Sequence, residues 1–288
     1  MVNPLACLVN VVEGDVDLAT MPKLLDSLAE IGFSHVGLPP LDPSATDAAA
    51  LGALFRERSL APITMCGGHT PTTLVSSADP EERKAGAQTL RSVVDLALAL
   101  GSSQVNGVQY GVFGHPTAPT SHDEFARAAR EVGAAADYAH ERGITMTFEV
   151  LNRYETSVVN TAAQAMVFVA ASESDHLRVH LDTFHMAIEE ADMLAAIDLA
   201  LPKLGYLELG QSGRALLSTG VVDIVGTVRH AVAGGYTGLI GVEAFSRAIL
   251  PAPVAGALSI WREPYSDGLA LARDAIALMR RGIELAKA

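Results

Sequence analysis

Four acidic residues in the second half of the chain each close a short apolar run. They are Glu149 in the run TMTFEV (145–150), Asp182 in VHLD (179–182), Glu208 in YLEL (206–209) and Glu243 in IGVEA (240–244). A carboxylate among apolar neighbours is costly unless it is paired or ligates a metal. Side chains alternate along a strand, so Thr145, Thr147 and Glu149 share one face, as do His180 and Asp182. Met146, Phe148 and Leu181 then point the other way. Four carboxylates converging on one small volume repel one another. A divalent cation that prefers oxygen ligands relieves this at least cost: Mn²⁺ first, with Mg²⁺ or Co²⁺ as the other choices. The bland reading pairs each acid with an arginine or a helix N-terminus. That serves well for any single acid and poorly for all four at successive strand ends. Two carboxylates facing each other beside a cation suit removal and return of a proton next to a carbonyl. Glu149 and Glu243 are assigned that pair of roles.

Short apolar runs alternate with segments of helical period throughout. The strand candidates are 5–9, 34–38, 61–66, 104–108, 144–149, 178–182, 205–209 and 238–243. The helical segments are 20–31, 46–58, 79–100, 121–142, 160–171, 189–200, 221–234 and 265–287. Asp79-Pro80-Glu81-Glu82 is a strong helix start, with an N-cap, a proline at the first helical position and acids in the first turn. Eight strands separated by single helices imply a parallel sheet with right-handed crossovers. In this length, that pattern predicts an α/β fold closed as a single (β/α)₈ TIM barrel spanning residues 1–288. No G-x-G-x-x-G follows a strand candidate, so a doubly wound nucleotide-binding sheet lacks its fingerprint. In a barrel, function gathers at the C-terminal ends of the strands, where the four acids lie.

The 288 residues carry 33 acidic and 20 basic side chains, a net charge of −13. That balance excludes nucleic acid and anionic membrane surfaces as expected partners. At 49% hydrophobic the chain can bury a large core. Two cysteines, Cys7 and Cys66, are too few for a disulfide framework, and residues 1–14 lack a basic leader region. No run reaches the ~18 apolar residues of a membrane span. The expected location is the cytoplasm.

At the acidic residues the sequence resembles the sugar isomerase/epimerase superfamily with a xylose-isomerase-like barrel, and within it the ketose (tagatose/psicose) 3-epimerase group. The resemblance is carried by FEVLNRYET (148–156) with NTA (160–162), by HLDTFHM (180–186) with IEE (188–190), by VEAFS (242–246) and by IWR (260–262). It implies a metal held by Glu149, Asp182 and Glu243, with Glu149 and Glu243 as the acid–base pair. It also implies that Glu155, His185 and Arg214 contact substrate or orient the site. On the seventh strand the family carries a His-x-Gly-Glu type segment whose histidine is the fourth ligand. Here the segment reads ELGQSGR (208–214), so Glu208 takes the ligand position and Gln211 the place of the glutamate. Three carboxylates and a dication sum to about −1; an ionised Glu208 makes it −2. Glu208 then ligates, or is protonated or paired with Arg214, or leaves the metal weak or absent. Gln211 would withdraw one negative charge from the same shell.

Weaker signals follow the third and fourth strands. Cys66 and His69 have the spacing of a ligand pair but read better as a loop at the mouth. His69, Tyr110, Phe113 and His115 fall where substrate walls form, and Trp261 is either a pocket wall or a cap on the barrel. The last helix reads as barrel packing or an oligomer face. The resulting expectation is a metal-dependent keto-sugar 3-epimerase acting on a small sugar, in a homo-oligomer. One alternative is an eliminating relative such as the larger subunit of a C-glycoside deglycosidase, which needs a small partner chain. Another is a barrel that binds a sugar or a partner without catalysis.

Overall fold

The computed structural model describes residues 3–288, so Met1 and Val2 of the expected 1–288 barrel and leader-free N-terminus lie outside it. Eight strands close into a parallel barrel: β1 (Leu5–Leu8), β2 (His35–Gly37), β3 (Ala61–Cys66), β4 (Gln104–Gly107), β5 (Thr145–Val150), β6 (Arg178–Asp182), β7 (Leu204–Leu209) and β8 (Leu239–Val242). Strands neighbour one another in chain order, and β8 returns to pair with β1.

Local signals set the helix ends. The helices of the first half are α1 (Met21–Ile31), α2 (Ala48–Glu57), α3 (Pro80–Leu100) and α4 (His122–His140). The Asp79 side chain accepts from the Glu81 N–H at 2.8 Å to start α3, and Gly101 ends that helix in the left-handed conformation. Ser121 and Glu124 form a capping box at α4. The second half holds α5 (Ala162–Ala171), α6 (Thr183–Glu189), α7 (Met193–Ala200), α8 (Ile224–Ala233), α9 (Ala252–Ala257) and α10 (Gly268–Lys287). Two of these, α6 and α9, were not expected from periodicity. Both sit in βα loops and are too short to show a repeating apolar stripe. The segment expected as one helix over 189–200 is the end of α6 followed by α7, which starts afresh under an Asp192 cap. The last helix begins at Gly268 rather than residue 265, capped by Asp267. It lies along α8 and α1 with Leu271, Ile276, Met279 and Ile283 buried, so its apolar stripe is barrel packing. No helix among the described residues is long and apolar enough to cross a membrane.

Inside the barrel a small apolar plug of Ala6, Ile63, Tyr206 and Leu239 fills one level. A polar layer adjoins it, where the Gln104 amide and the Thr147 hydroxyl both donate to Asn106 Oδ1, at 2.7 and 2.8 Å. The acids lie further along the strands. Glu149 is in register with His180, and Asp182 with Glu208, which in turn faces Gly241. A side chain at Gly241 would put its Cβ 1.8 Å from the Tyr206 hydroxyl. Glycine there leaves room for Tyr206, whose hydroxyl donates to Glu208 Oε1 at 3.4 Å.

Candidate active site

The barrel brings all four acids to one mouth. Glu149 lies one residue inside the end of β5, Asp182 and Glu208 at or near the ends of β6 and β7, and Glu243 immediately after β8. All four are buried. Asp182 also caps α6, its Oδ1 accepting from the Phe184 N–H at 2.9 Å. That cap carries His185 over the cluster, with Nε2 3.4 Å from Glu149 Oε1 and 3.6 Å from Asp182 Oδ2. The other ring nitrogen, Nδ1, accepts from the Asn152 backbone N–H at 3.1 Å. The proton of the neutral ring therefore sits on Nε2, facing the two carboxylates. The Asn152 amide also donates to Glu155 Oε1 at 3.0 Å, joining Glu155 to the same network.

Arg214 enters the cluster itself. Its Nη1 contacts Glu243 Oε2 closely and lies 3.3 Å from Asp182 Oδ2. The guanidinium stacks 3.7 Å from the centre of the Phe184 ring, and the backbone at Arg214 takes a left-handed φ of 54°. Four ionised carboxylates against one guanidinium leave three negative charges, and a dication brings the total to −1. The sum of −2 expected from sequence omitted this arginine. Gln211 plays no part in the balance. Its amide nitrogen donates to the Leu217 and Val222 carbonyls at 3.2 and 3.1 Å, and its oxygen accepts from the Ser212 and Val222 N–H groups. A glutamate could not make those two donations. Gln211 pins the β7–α8 loop and lies outside the carboxylate shell.

Burial sets the protonation of this site. It pushes the Glu149 carboxyl up to about 8, against the pull of His180 and with added repulsion from Glu243 and Glu208. Asp182 rises to about 7 by burial, although Arg214 and His185 hold it down. Glu208 moves well above the carboxylate range, first by burial and then by repulsion from Glu243. His180 and His185 are lowered by burial, which favours neutral rings. The folded protein thus keeps carboxyl protons that the unfolded chain releases near pH 4, so stability falls as pH rises from about 4 to about 8. With chelator present, melting temperature should drop between pH 5 and pH 8, and saturating Mn²⁺ should remove that drop. A melting temperature that holds or rises over this range in chelator would contradict the buried-acid account.

The remaining candidates occupy different places. A cavity of 260 Å³ opens over the cluster, lined by Glu149, Glu155, His185, Arg214 and Glu243 with apolar walls that include Phe113 and Phe245. A wider cavity of 520 Å³ shares Glu155, Arg214 and Phe245 with it and reaches the rim, where Trp261 is 72% exposed beside the exposed Tyr154. His69 is buried beside the mouth, its Nε2 2.8 Å from the Gln109 carbonyl oxygen, and it lines neither cavity. Cys66 lines the inner cavity, its thiol 3.5 Å from the Val108 carbonyl. The Cys66–His69 pair joins no ligand cluster among the described residues. Tyr110 lies on the helix side of the barrel, packed edge-on to Phe148 and Phe168, and its hydroxyl donates to the Glu149 backbone carbonyl at 2.8 Å. It steadies the strand that carries Glu149. Asn152 and Tyr206 escaped sequence reasoning as site residues. Tyr206 was legible, since it lies two residues before Glu208 and on the same strand face.

Residues 25–287 match the family described as xylose isomerase-like TIM barrel. The chain belongs to that family. It shares 32% identity over 267 residues with an L-ribulose 3-epimerase of Mesorhizobium japonicum, covering 93% of this chain and 90% of the relative. With a ketose 3-epimerase of Arthrobacter globiformis it shares 35% over 251 residues, 87% of this chain and 86% of that one. Among solved structures, D-allulose 3-epimerase from Methylomonas sp. in complex with D-allulose superposes with a TM-score of 0.91 at 32% identity, over 96% of both chains. These family relatives are ketose epimerases.

Proposed function

We propose that this chain is a ketose 3-epimerase that inverts C3 of a free keto-sugar, with Glu149 and Glu243 removing a proton from one face and delivering another to the opposite face. The observation that carries the reading is the placement of these two buried acids in one cavity, on strands β5 and β8, with Arg214 and His185 beside them. Relatives that cover most of the chain point to the same activity.

The donor set fits a divalent cation. Two overlapping groups supply ligand atoms within 4.8 Å of one another, namely Glu149, His180 and Glu208, and Asp182, Glu208 and Glu243, while in a third, Glu149, Asp182 and His185, the imidazole turns its proton to the acids. Glu208 Oε2 is buried without a hydrogen-bond partner. Glu149, Asp182, Glu208 and Glu243 would hold the ion, Mn²⁺ being the best fit to a mainly carboxylate shell. When bound, such an ion polarises the substrate carbonyl and adjacent hydroxyl and so acidifies the C3 proton. One of Glu149 and Glu243, ionised, takes that proton from one face, and the other, protonated, delivers its own proton to the opposite face. The Nε2 proton of His185 is placed to donate to a substrate oxygen over Glu149. Arg214 offsets charge on Asp182 and Glu243 and offers its remaining donors to the sugar, while Glu155 accepts from a hydroxyl at the cavity wall. Trp261 and Tyr154 form the outer rim. His69 and Tyr110 act through the loops and strand they hold. A homo-oligomer in the cytoplasm completes the reading.

Incubating the Mn²⁺-loaded protein with D-allulose, D-fructose, D-tagatose or L-ribulose in D₂O is the direct test. One or more of these ketoses should gain deuterium at C3 and convert to its epimer. No exchange in any ketose, or release of an aglycone from a 3-keto glycoside instead, would overturn the epimerase reading in favour of a binding or an eliminating barrel.

A further inference from the structure

His180 is not among the four residues assigned above to hold the ion, yet it is buried at the mouth in the midst of them. It lies on β6 two residues before Asp182, in register with Glu149 on β5 and Tyr206 on β7. Its ring is fully buried, with Tyr206 packed edge-on at 4.7 Å. Neither ring nitrogen has a hydrogen-bond partner, and neither has Glu208 Oε2. His180 Nε2 and Glu208 Oε2 are nevertheless only 3.1 Å apart, too far out of line to form a hydrogen bond. On its other side, Nδ1 is 4.0 Å from Glu149 Oε2. Buried polar atoms are seldom left orphaned, and the facing pair His180 Nε2 and Glu208 Oε2 calls for a further atom that satisfies both, with the ring proton then on Nδ1 towards Glu149. A proton on Nε2 would need a better angle to Glu208. A cation needs only two free lone pairs at a suitable separation. Ligands at right angles on an ion with bonds of ~2.1 Å stand ~3.0 Å apart, close to the spacing seen here.

We propose that His180 is a cation ligand, acting with Glu208 and Glu149 to form a nitrogen-and-oxygen seat on the floor of the mouth. This rests on the reading that the mouth holds a divalent ion, and it changes the expected shell from carboxylates alone to one with an imidazole. Tyr206 orients the seat by donating to the other oxygen of Glu208. An imidazole–carboxylate seat suits Mn²⁺, Co²⁺ and Zn²⁺ and disfavours Mg²⁺ and Ca²⁺, which take oxygen ligands.

Pulsed electron paramagnetic resonance of the Mn²⁺-loaded protein reads this directly. A directly bound histidine nitrogen should give a ¹⁴N coupling that changes to the ¹⁵N pattern when the protein is grown with ¹⁵N-histidine, a test that needs no variant. The coupling should disappear in His180→Gln, with Mn²⁺ affinity lowered at least ~10-fold, and should persist in His185→Gln. Bound Mn²⁺ without nitrogen coupling, or coupling that survives His180→Gln, overturns the proposal while leaving the epimerase reading intact. No Mn²⁺ binding together with no C3 exchange would remove both.

Discussion

Replacing Glu149 or Glu243 by glutamine lowers the rate of ketose interconversion by about 10²–10⁴-fold, the usual contribution of a positioned acid–base group. Glutamine keeps the size and the burial of each side chain but can neither accept nor release the C3 proton. Glu149 is buried and held with its proton affinity raised, so a neutral amide there removes an unfavourable charge and leaves the fold no less stable. Both acids are also placed as ligands, so the rates are compared at saturating Mn²⁺, where the loss that remains is one of chemistry. Two acids working from opposite faces make a sharper forecast than a slow enzyme. Each single variant retains one competent carboxylate, so it should still exchange the C3 proton of one epimer with solvent while failing to convert it into the other. The epimer that exchanges in Glu149→Gln should be the one that does not exchange in Glu243→Gln. The double variant should be little worse than either single variant for interconversion, because the two act as a unit. Following deuterium wash-in separately for each epimer by NMR checks this. A loss below about tenfold in either variant, or exchange of both epimers in both variants, would mean that the proton travels by another route.

The barrel was legible because each βα unit announces itself locally: an apolar run, an acidic or hydroxyl cap, a helical stripe and a closing glycine, as at Asp79, Ser121 and Gly101. The acids were legible for a related reason. A carboxylate in an apolar strand has no cheap structural explanation, and four in successive strands point to one place. Sequence placed Arg214 at the site, or against Glu208, and could not supply its actual partners, Asp182 and Glu243. Arg214 enters the cluster through a left-handed backbone turn at its own position, and nothing local marks a non-glycine residue for that conformation. Gln211 looked like a charge exchange within the shell, and its amide proves to be a loop staple. Tyr110 follows a strand as a pocket wall would, yet the chain turns so that its ring packs outward against Phe168. Period-two alternation fixes the face of a residue within a strand, and that certainty ends where the strand ends. Thr183–Glu189 shows the same limit, since Asp182 serves at once as a site acid and as the cap of a helix too short to leave a periodic trace.

Arg214→Met should destabilise the chelated protein by about 3–5 kcal/mol at pH 8, the range found when one partner of a buried ion pair is removed. Methionine preserves much of the stem that lies against Phe184 while deleting the charge that faces Asp182 and Glu243. The side chain of Arg214 is only 10% exposed, so water cannot replace the guanidinium. The acids have another way to lose their charge, which is to take up protons. Without Arg214 the Asp182 and Glu208 carboxyls lose the charge that holds them down and rise further, and the loss should shrink as pH falls towards 5, where they become neutral in the variant. Saturating Mn²⁺ should recover most of the loss at pH 8, because a dication bound among the same oxygens does for Asp182 and Glu243 what the arginine did. Arg214→Lys, with a point charge and no planar face to stack on Phe184, should recover the charge balance only in part. Denaturant unfolding at pH 5 and pH 8, with Mn²⁺ and with chelator, resolves these contributions. A loss independent of both pH and Mn²⁺ would show that Arg214 supports the structure by stacking alone. A loss that Mn²⁺ cancels would show that the arginine and the cation answer the same excess of negative charge, and that an epimerase of this design can keep its mouth folded while the metal is away.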